Sequence, residues 1–410
     1  MPGEDTNGDG RWGVLANVVA MNFFVTGLAW IYVVVLVEPI LRDLGLAPGD
    51  WSTLWSGLSA GALLGALPAG ALGDRFGVRG VVSAGALAMA ATLALRASGA
   101  GFASVLAAMV LYGVTLSIVS ANLPKALGMW FPAERLGLAN GIALCGNGGG
   151  QGLATWAAPL ALGSFGGWRG LTWWVAGAVT VLALLWGVTV RDRGAAGAPS
   201  DSAGLLAGLG QVLRIREVWL VATSYFFFLA GYLGVVSFLP GYLVSARGLS
   251  ASEAGAVLTI VLVSYVVGSL ILPGLSDRIG LRRAVYVPGI LIAGAMVWAS
   301  SAVAGMPLVA VAVIWGFAAG AIALVFAVPL ELSRVGPALA GSAIGATLMA
   351  GFFGGFVSPK LGAWLAERSP SAAFLFWAAC YGASALCFAL LPETGPRARV
   401  AAALERGAKA

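Results

Sequence analysis

The chain contains no histidine in 410 residues. That removes Ser-His-Asp and Cys-His nucleophile pairs, imidazole metal sites and histidine proton relays together. Charge is scarce as well. Only 10% of residues are Asp, Glu, Lys or Arg, where a soluble domain carries about 25%. The three cysteines, Cys145, Cys380 and Cys387, fall in apolar runs and form no C-x-x-C pair. They read as small buried apolar residues, not redox centres or metal ligands. No clustered carboxylates replace the missing imidazoles, so no enzyme activity, metal or cofactor is expected. The opening "MPGEDTNGDG" has no basic region ahead of an apolar stretch, which argues against a cleaved signal peptide and for a disordered polar tail over 1–12.

What is present is apolar. Hydrophobic residues make up 60% of the chain, and glycine supplies 60 positions. Runs of about 20 apolar residues recur along the whole length, each able to cross a hydrocarbon layer about 30 Å thick. This predicts an all-α membrane protein. Hydropathy and the Gly, Pro and charge breaks place twelve segments near 13–38, 51–73, 79–98, 102–125, 136–160, 168–190, 217–245, 252–275, 283–304, 307–330, 339–361 and 372–391. The stretch 191–216 cannot span and reads as a central cytoplasmic loop, with a short amphipathic helix over 204–214. The organisation expected is a six-helix bundle over 13–190, a second over 217–391, and a cytoplasmic tail over 392–410.

Orientation follows the loop arginines and lysines. With both termini inside, only Arg42, Arg96, Arg169, Arg247, Lys360 and Arg368 of the 23 Lys and Arg fall outside. The two halves also echo each other at an offset of 203. That offset pairs Asp50 with Glu253, Gly65 with Gly268, Asp74 with Asp277 and Arg79 with Arg282. Charges and glycines held in register mean more here than apolar residues matching apolar residues. Two six-helix repeats place a solute site near the midplane, reached alternately from each side.

The charged cassette "GALGDRFGVRG" (70–80) returns as "GLSDRIGLRRA" (274–284). The first resembles the loop 2–3 signature of the major facilitator superfamily, and the second its loop 8–9 counterpart. Pro273 and Gly274 depart slightly from the leading glycine. The closing "LLPETGPRAR" and the helix count fit the same family over the whole chain. The resemblance implies twelve transmembrane helices in two pseudo-symmetric six-helix bundles and a monomeric carrier in the cell's inner membrane. Its partners would be the lipid bilayer, a small solute and a coupling proton or sodium ion, with no nucleic acid.

The cassettes are expected to form a cytoplasmic gate. Asp74 would receive N–H groups from the start of the eleventh segment near Arg334, and Asp277 from the start of the fifth near Arg135. Gly77 and Gly280 permit a tight turn, while Arg75, Arg79, Arg278 and Arg282 anchor at headgroups. Lys125 and Glu331, at the cytoplasmic ends of the fourth and tenth segments, are candidates for the same gate. Small residues at every fourth position of the second segment (Gly57, Gly61, Gly65, Ala69, Gly73) form a packing face, as do Gly141, Cys145 and Gly149, and one step earlier Gly148 with Gly152, in the fifth.

No Asp, Glu, Lys or Arg falls at the midplane. Candidate solute contacts are therefore Asn22, Tyr32, Tyr112, Asn147, Gln151, Tyr225, Tyr232, Tyr265 and Trp315. The run "GNGGG" (146–150) could unwind and offer backbone N–H groups to an anion. The stretch 129–152 resembles the monocarboxylate and oxalate–formate branches of the family, and "NLPKALGMWFP" its cyanate-type carriers. The eighth segment lacks the arginine of the monocarboxylate carriers, and the fifth lacks the Gly-Pro signature of drug antiporters. A small organic anion, monocarboxylate-like, moved by alternating access is the reading; a neutral or drug-like molecule, taken up or exported, is the alternative.

Overall fold

The computed structural model describes residues 8–192, 210–332, 334–395 and 397, and every regular element among them is helical. The first helix begins at Gly8, inside the segment expected to be a tail; residues 1–7 lie outside the described residues. Most of the central loop, residues 204–209 of the surface helix expected over 204–214 and most of the C-terminal tail also lie outside them; residues 210–212 are helical.

Nine helices among the described residues are long and apolar enough to cross a membrane. A tenth span results if Asp50–Ala66 and Pro68–Phe76, bent by 48°, count as one. Pro68 accounts for the bend, since its ring removes one ladder donor and crowds the preceding turn. The helix Arg283–Ala299 is only 17 residues long, and the glycine-rich Ala133–Ala161, carrying Asn140, Asn147 and Gln151, is not among the nine. Exposed Leu64, Trp156, Val188, Leu270, Ile314 and Leu386 show that these helices present large apolar side chains outward, as lipid-facing surfaces do.

The chain forms two compact units, one of residues 1–201 with 249–259, the other of 202–248 with 260–410. In the first, the helix Asp50–Phe76 lies against Phe102–Trp130, and Val78–Ser98 against Trp168–Thr189. In the second, Arg216–Arg247 packs on Gly336–Arg368 and Pro370–Ala389.

The predicted small-residue face of the second segment is the packed one. A Cβ on Gly65 would fall 2.6 Å from Val114 O, and Gly57 and Gly73 sit against Leu106 and Asn122. The reciprocal glycine is Gly113, where a Cβ would meet Ala62 N at 2.7 Å and Leu58 O closer still. The second unit repeats the crossing. A Cβ on Gly268 would meet Phe317 Cα at 3.0 Å, as one on Gly65 would meet Val114 Cα at 2.9 Å. One on Gly316 would meet Tyr265 N at 3.0 Å and lie closer still to Val261 O. Each residue of these contacts is separated from its counterpart by the same 203 positions read from the sequence.

The fifth segment corrects the expectation in part. Gly141 has open space and Cys145 is exposed, while Gly146 and Gly150 pack on Val19 and Phe23, and Gly148 and Gly152 are buried. The close-packed face is rotated from the Gly141–Cys145–Gly149 stripe. Of the cysteines only Cys380 is buried. The helix is continuous over Ala133–Ala161, so "GNGGG" is not unwound. The irregular backbone sits opposite it, where Gly8–Met21 gives way to a π-helical stretch, Asn22–Leu28, and then to a 3₁₀ turn, Tyr32–Val35.

Candidate functional site

The π stretch has a local cause. Asn22 Nδ2 donates to Val18 O at 3.1 Å, and Thr26 Oγ1 donates to Asn22 O at 3.1 Å. Side chains that bond nearby carbonyls compete with the helical ladder, and π turns are found where a function uses the widened backbone. The neighbouring helix approaches closely because Gly27 has no side chain: a Cβ there would fall 2.5 Å from Asn147 O. Gly146 does the same opposite Val19 O, at 2.9 Å.

This backbone approach lets short amides meet. Gln151 Nε2 donates to Asn147 Oδ1 at 2.6 Å, and Asn147 Nδ2 donates to Thr26 Oγ1 at 2.9 Å. Thr26 Oγ1 also lies 3.1 Å from Asn22 Oδ1. Three of the predicted contact residues, Asn22, Asn147 and Gln151, thus form one polar chain, joined by Thr26. All three are half-buried. Tyr112 OH donates to Val25 O at 3.3 Å and pins the π stretch from the side.

Tyr32 and Tyr112 are not part of that chain. Both are buried, and they flank Arg96, whose Nη2 donates to Tyr32 OH at 2.9 Å. The guanidinium lies 5.2 Å from the Tyr32 ring and 5.4 Å from the Tyr112 ring. Arg96, expected at the outer loop, is instead 2% exposed.

In the second unit Tyr225, Tyr232 and Tyr265 come together. Tyr232 and Tyr265 have ring centroids 5.4 Å apart, and Phe228 stacks between Tyr232 and Tyr225 at 5.7 and 6.4 Å. Tyr225 also meets Phe326 edge-on at 5.1 Å, in the 3₁₀ stretch Gly320–Phe326. Trp315 is fully buried and donates to Tyr381 OH at 3.2 Å, and the Tyr381 ring meets Phe228 of this group edge-on at 5.5 Å.

The cassette turns are as the glycines require. Gly77 and Gly280 have φ of +82° and +79°, a region that side-chain-bearing residues rarely adopt. Asp74 is ion-paired with Lys125, which also donates to Gly70 O at 2.8 Å. Arg282 is buried and joins both acids of its own unit, Asp277 Oδ1 at 2.6 Å and Glu331 Oε1 at 2.7 Å. The hydrogen bonds to Glu331 hold the Arg282 guanidinium above its ordinary pKa, against the opposing effect of burial. Arg334 reaches Glu217 at 4.0 Å, while Arg75, Arg79, Arg135 and Arg278 are exposed.

Two carboxylates escaped the sequence reading. Asp192 Oδ1 accepts from Arg79 N at 2.9 Å. Glu393 Oε1 accepts from Arg282 N at 2.6 Å, and its Oε2 from Arg283 N at 3.2 Å. Each follows the last helix of its repeat and satisfies the free N–H groups where the helix after the cassette begins. Their positions just beyond the sixth and twelfth segments were the available signal.

An all-helical chain with many lipid-length spans, glycine-mediated crossings repeated at one offset, and a duplicated turn cassette defines a multi-pass membrane transporter of small molecules. The chain belongs to the Major Facilitator Superfamily, whose family model matches residues 18–359 and 243–409. Human monocarboxylate transporter 11 is 30% identical over 389 residues, covering 88% of this chain and 78% of that protein. The probable nitrate/nitrite transporter NarK2 of Mycobacterium tuberculosis is 27% identical over 366 residues, 85% of this chain and 88% of its own. The fold is similar to that of the nucleoside transporter NupG, with a TM-score of 0.76 and 15% identity over 92% of this chain and 99% of that one.

Proposed function

We propose that the protein is a secondary transporter that moves a small monoanion, monocarboxylate- or nitrate-like, across the inner membrane by alternating access. The observation that carries this reading is the polar chain Asn22–Thr26–Asn147–Gln151, set on a π-helical stretch inside an apolar unit. Amide N–H groups in such a place suit an anion of few atoms, because they donate without demanding a counter-charge. The relatives named for monocarboxylate and for nitrate and nitrite support the same class. The second unit holds an aromatic group of its own, Tyr225, Tyr232 and Tyr265.

The chain would cross the membrane twelve times, as two six-helix repeats with both termini cytoplasmic. The ion pairs of Asp74 with Lys125 and of Arg282 with Asp277 and Glu331 would belong to the cytoplasmic gate. A proton or sodium ion is the proposed coupling ion. A second reading, a neutral solute, draws on the four-residue chain itself, which contains no cationic side chain.

The test is exchange in proteoliposomes. Purified protein preloaded with formate, lactate, nitrate or uridine should exchange the monoanions and not uridine. Exchange of uridine alone would discard the anion reading and favour the neutral one.

A further inference from the structure

Arg96 is the feature that the transport reading does not use. It lies near the end of the helix Val78–Ser98, where an arginine normally extends its guanidinium to the headgroups. Here it turns inward and is 2% exposed. Among the described residues no carboxylate pairs with it. Its neighbours are neutral: Tyr32 OH at 2.9 Å from Nη2, Met109 Sδ at 3.3 Å from Nη1, and the faces of Tyr32 and Tyr112. Tyr32 OH is itself committed, donating to Thr172 Oγ1 at 2.8 Å. The buried Nε–H has no acceptor among the described residues.

A guanidinium cannot shed its proton, and burying it without a counter-charge costs several kcal/mol. Membrane topology does not require it, since the position 203 residues later, in the second repeat, is Ala299. The Nε–H and the adjacent N–H of Nη2 form a fork matched to two oxygens of one planar anion. Aromatic faces lie against the guanidinium, and the thioether sits on the far nitrogen, Met109 Sδ at 3.3 Å from Nη1, on a side chain flexible enough to move aside.

We propose that Arg96, between the rings of Tyr32 and Tyr112, is a binding seat for a small planar monoanion of the nitrate or short-carboxylate class, held as a counter-ion inside the first unit. The inference rests on the buried charge alone and stands whether or not Asn147 and Gln151 contact the transported solute.

The experiment is thermal melting of the full purified chain in detergent at constant ionic strength, titrated with sodium nitrate, sodium formate or sodium gluconate. Nitrate and formate should raise the melting temperature saturably, and gluconate, too bulky for the seat, should not. Met109→Glu places a carboxylate against Nη1 and should melt higher than wild type without nitrate, with no further response to it. Tyr32→Phe keeps the ring but frees Nη2, and should enlarge the nitrate response. In Asn147→Ala and Gln151→Ala a saturable nitrate response should remain, reduced at most by the share that the polar chain binds. The proposal is overturned if nitrate and formate leave wild type unmoved, if Tyr32→Phe responds only as wild type does, or if the response disappears with Asn147 or Gln151 instead.

Discussion

Replacing Gly113 by alanine should separate two helices that now touch backbone to backbone. The added Cβ would lie 2.7 Å from Ala62 N and closer to Leu58 O, while ordinary contact begins at 3.4 Å. The helices Asp50–Phe76 and Phe102–Trp130 must therefore part by at least 0.7 Å, because the blocking atoms are backbone and cannot rotate away. A gap of that size forfeits about a quarter to a half of each dispersion contact along the crossing. Overpacking of this kind costs about 1–3 kcal/mol. Gly316→Ala should cost a similar amount, since its Cβ would meet Tyr265 N at 3.0 Å and Val261 O closer still. The two sites lie in different units, so the double variant should lose the sum. Gly128 is the control. It lies on the same helix as Gly113 with nothing within 4 Å, and alanine there should be neutral or stabilising by up to about 1 kcal/mol. Denaturation of purified protein, followed by circular dichroism, reads all four variants. If Gly113→Ala proves as stable as Gly128→Ala, the glycine crossing is not what holds these helices together.

Burial should separate the two cassettes in the same assay. Lys125→Met removes a pair whose side chains are about a third exposed, so the loss should be within about 1 kcal/mol. Glu331→Gln leaves a guanidinium whose side chain is 8% exposed with Asp277 as its remaining acid, and should cost about 2–3 kcal/mol. Equal losses would mean that burial does not set the worth of these pairs. Asp74→Asn should increase labelling of cysteines introduced at the cytoplasmic ends of the helices; unchanged labelling would remove Asp74 from the gate. Gly77→Ala must hold a φ of +82° and displace Asp192 from its place against the turn. It should lower folded yield, and a second change, Asp192→Ala, should not restore it, because the strained φ remains.

Much of the architecture is legible in one chain. Scarce charge and recurrent apolar runs mark the helices, and the positive φ of Gly77 and Gly280 is implicit in the cassette. The offset of 203 reappears in space as matched contacts, Gly65 with Val114 and Gly268 with Phe317. The amides of Asn22, Asn147 and Gln151 are recognisable because polar residues stand out in an apolar run. That Thr26 joins them is not, since the joint depends on the backbone contact at Gly27. One of the faces expected for the fifth segment is turned away from the packed one for a related reason. Gly141, Cys145 and Gly149 make one small stripe, the run Gly148–Gly150 opens others, and only the partner helix selects among them. Arg96 eludes the sequence differently. Two residues from the end of a span, an arginine that reaches out and one that folds back have the same sequence. Tyr32 and Tyr112, expected as solute contacts, line that arginine with their ring faces.

The most direct test of anion transport through the polar chain is the concentration dependence of formate exchange by wild type, Asn147→Ala and Gln151→Ala in proteoliposomes. Gln151→Ala removes one hydrogen bond from the chain that links Gln151, Asn147 and Thr26, and Asn147→Ala removes both, each worth about 1 kcal/mol. KM should rise about fivefold with Gln151→Ala and at least as much with Asn147→Ala, with folded protein at wild-type levels. Unchanged KM in both variants, with formate still exchanged, would show that the anion passes through this protein without touching the polar chain.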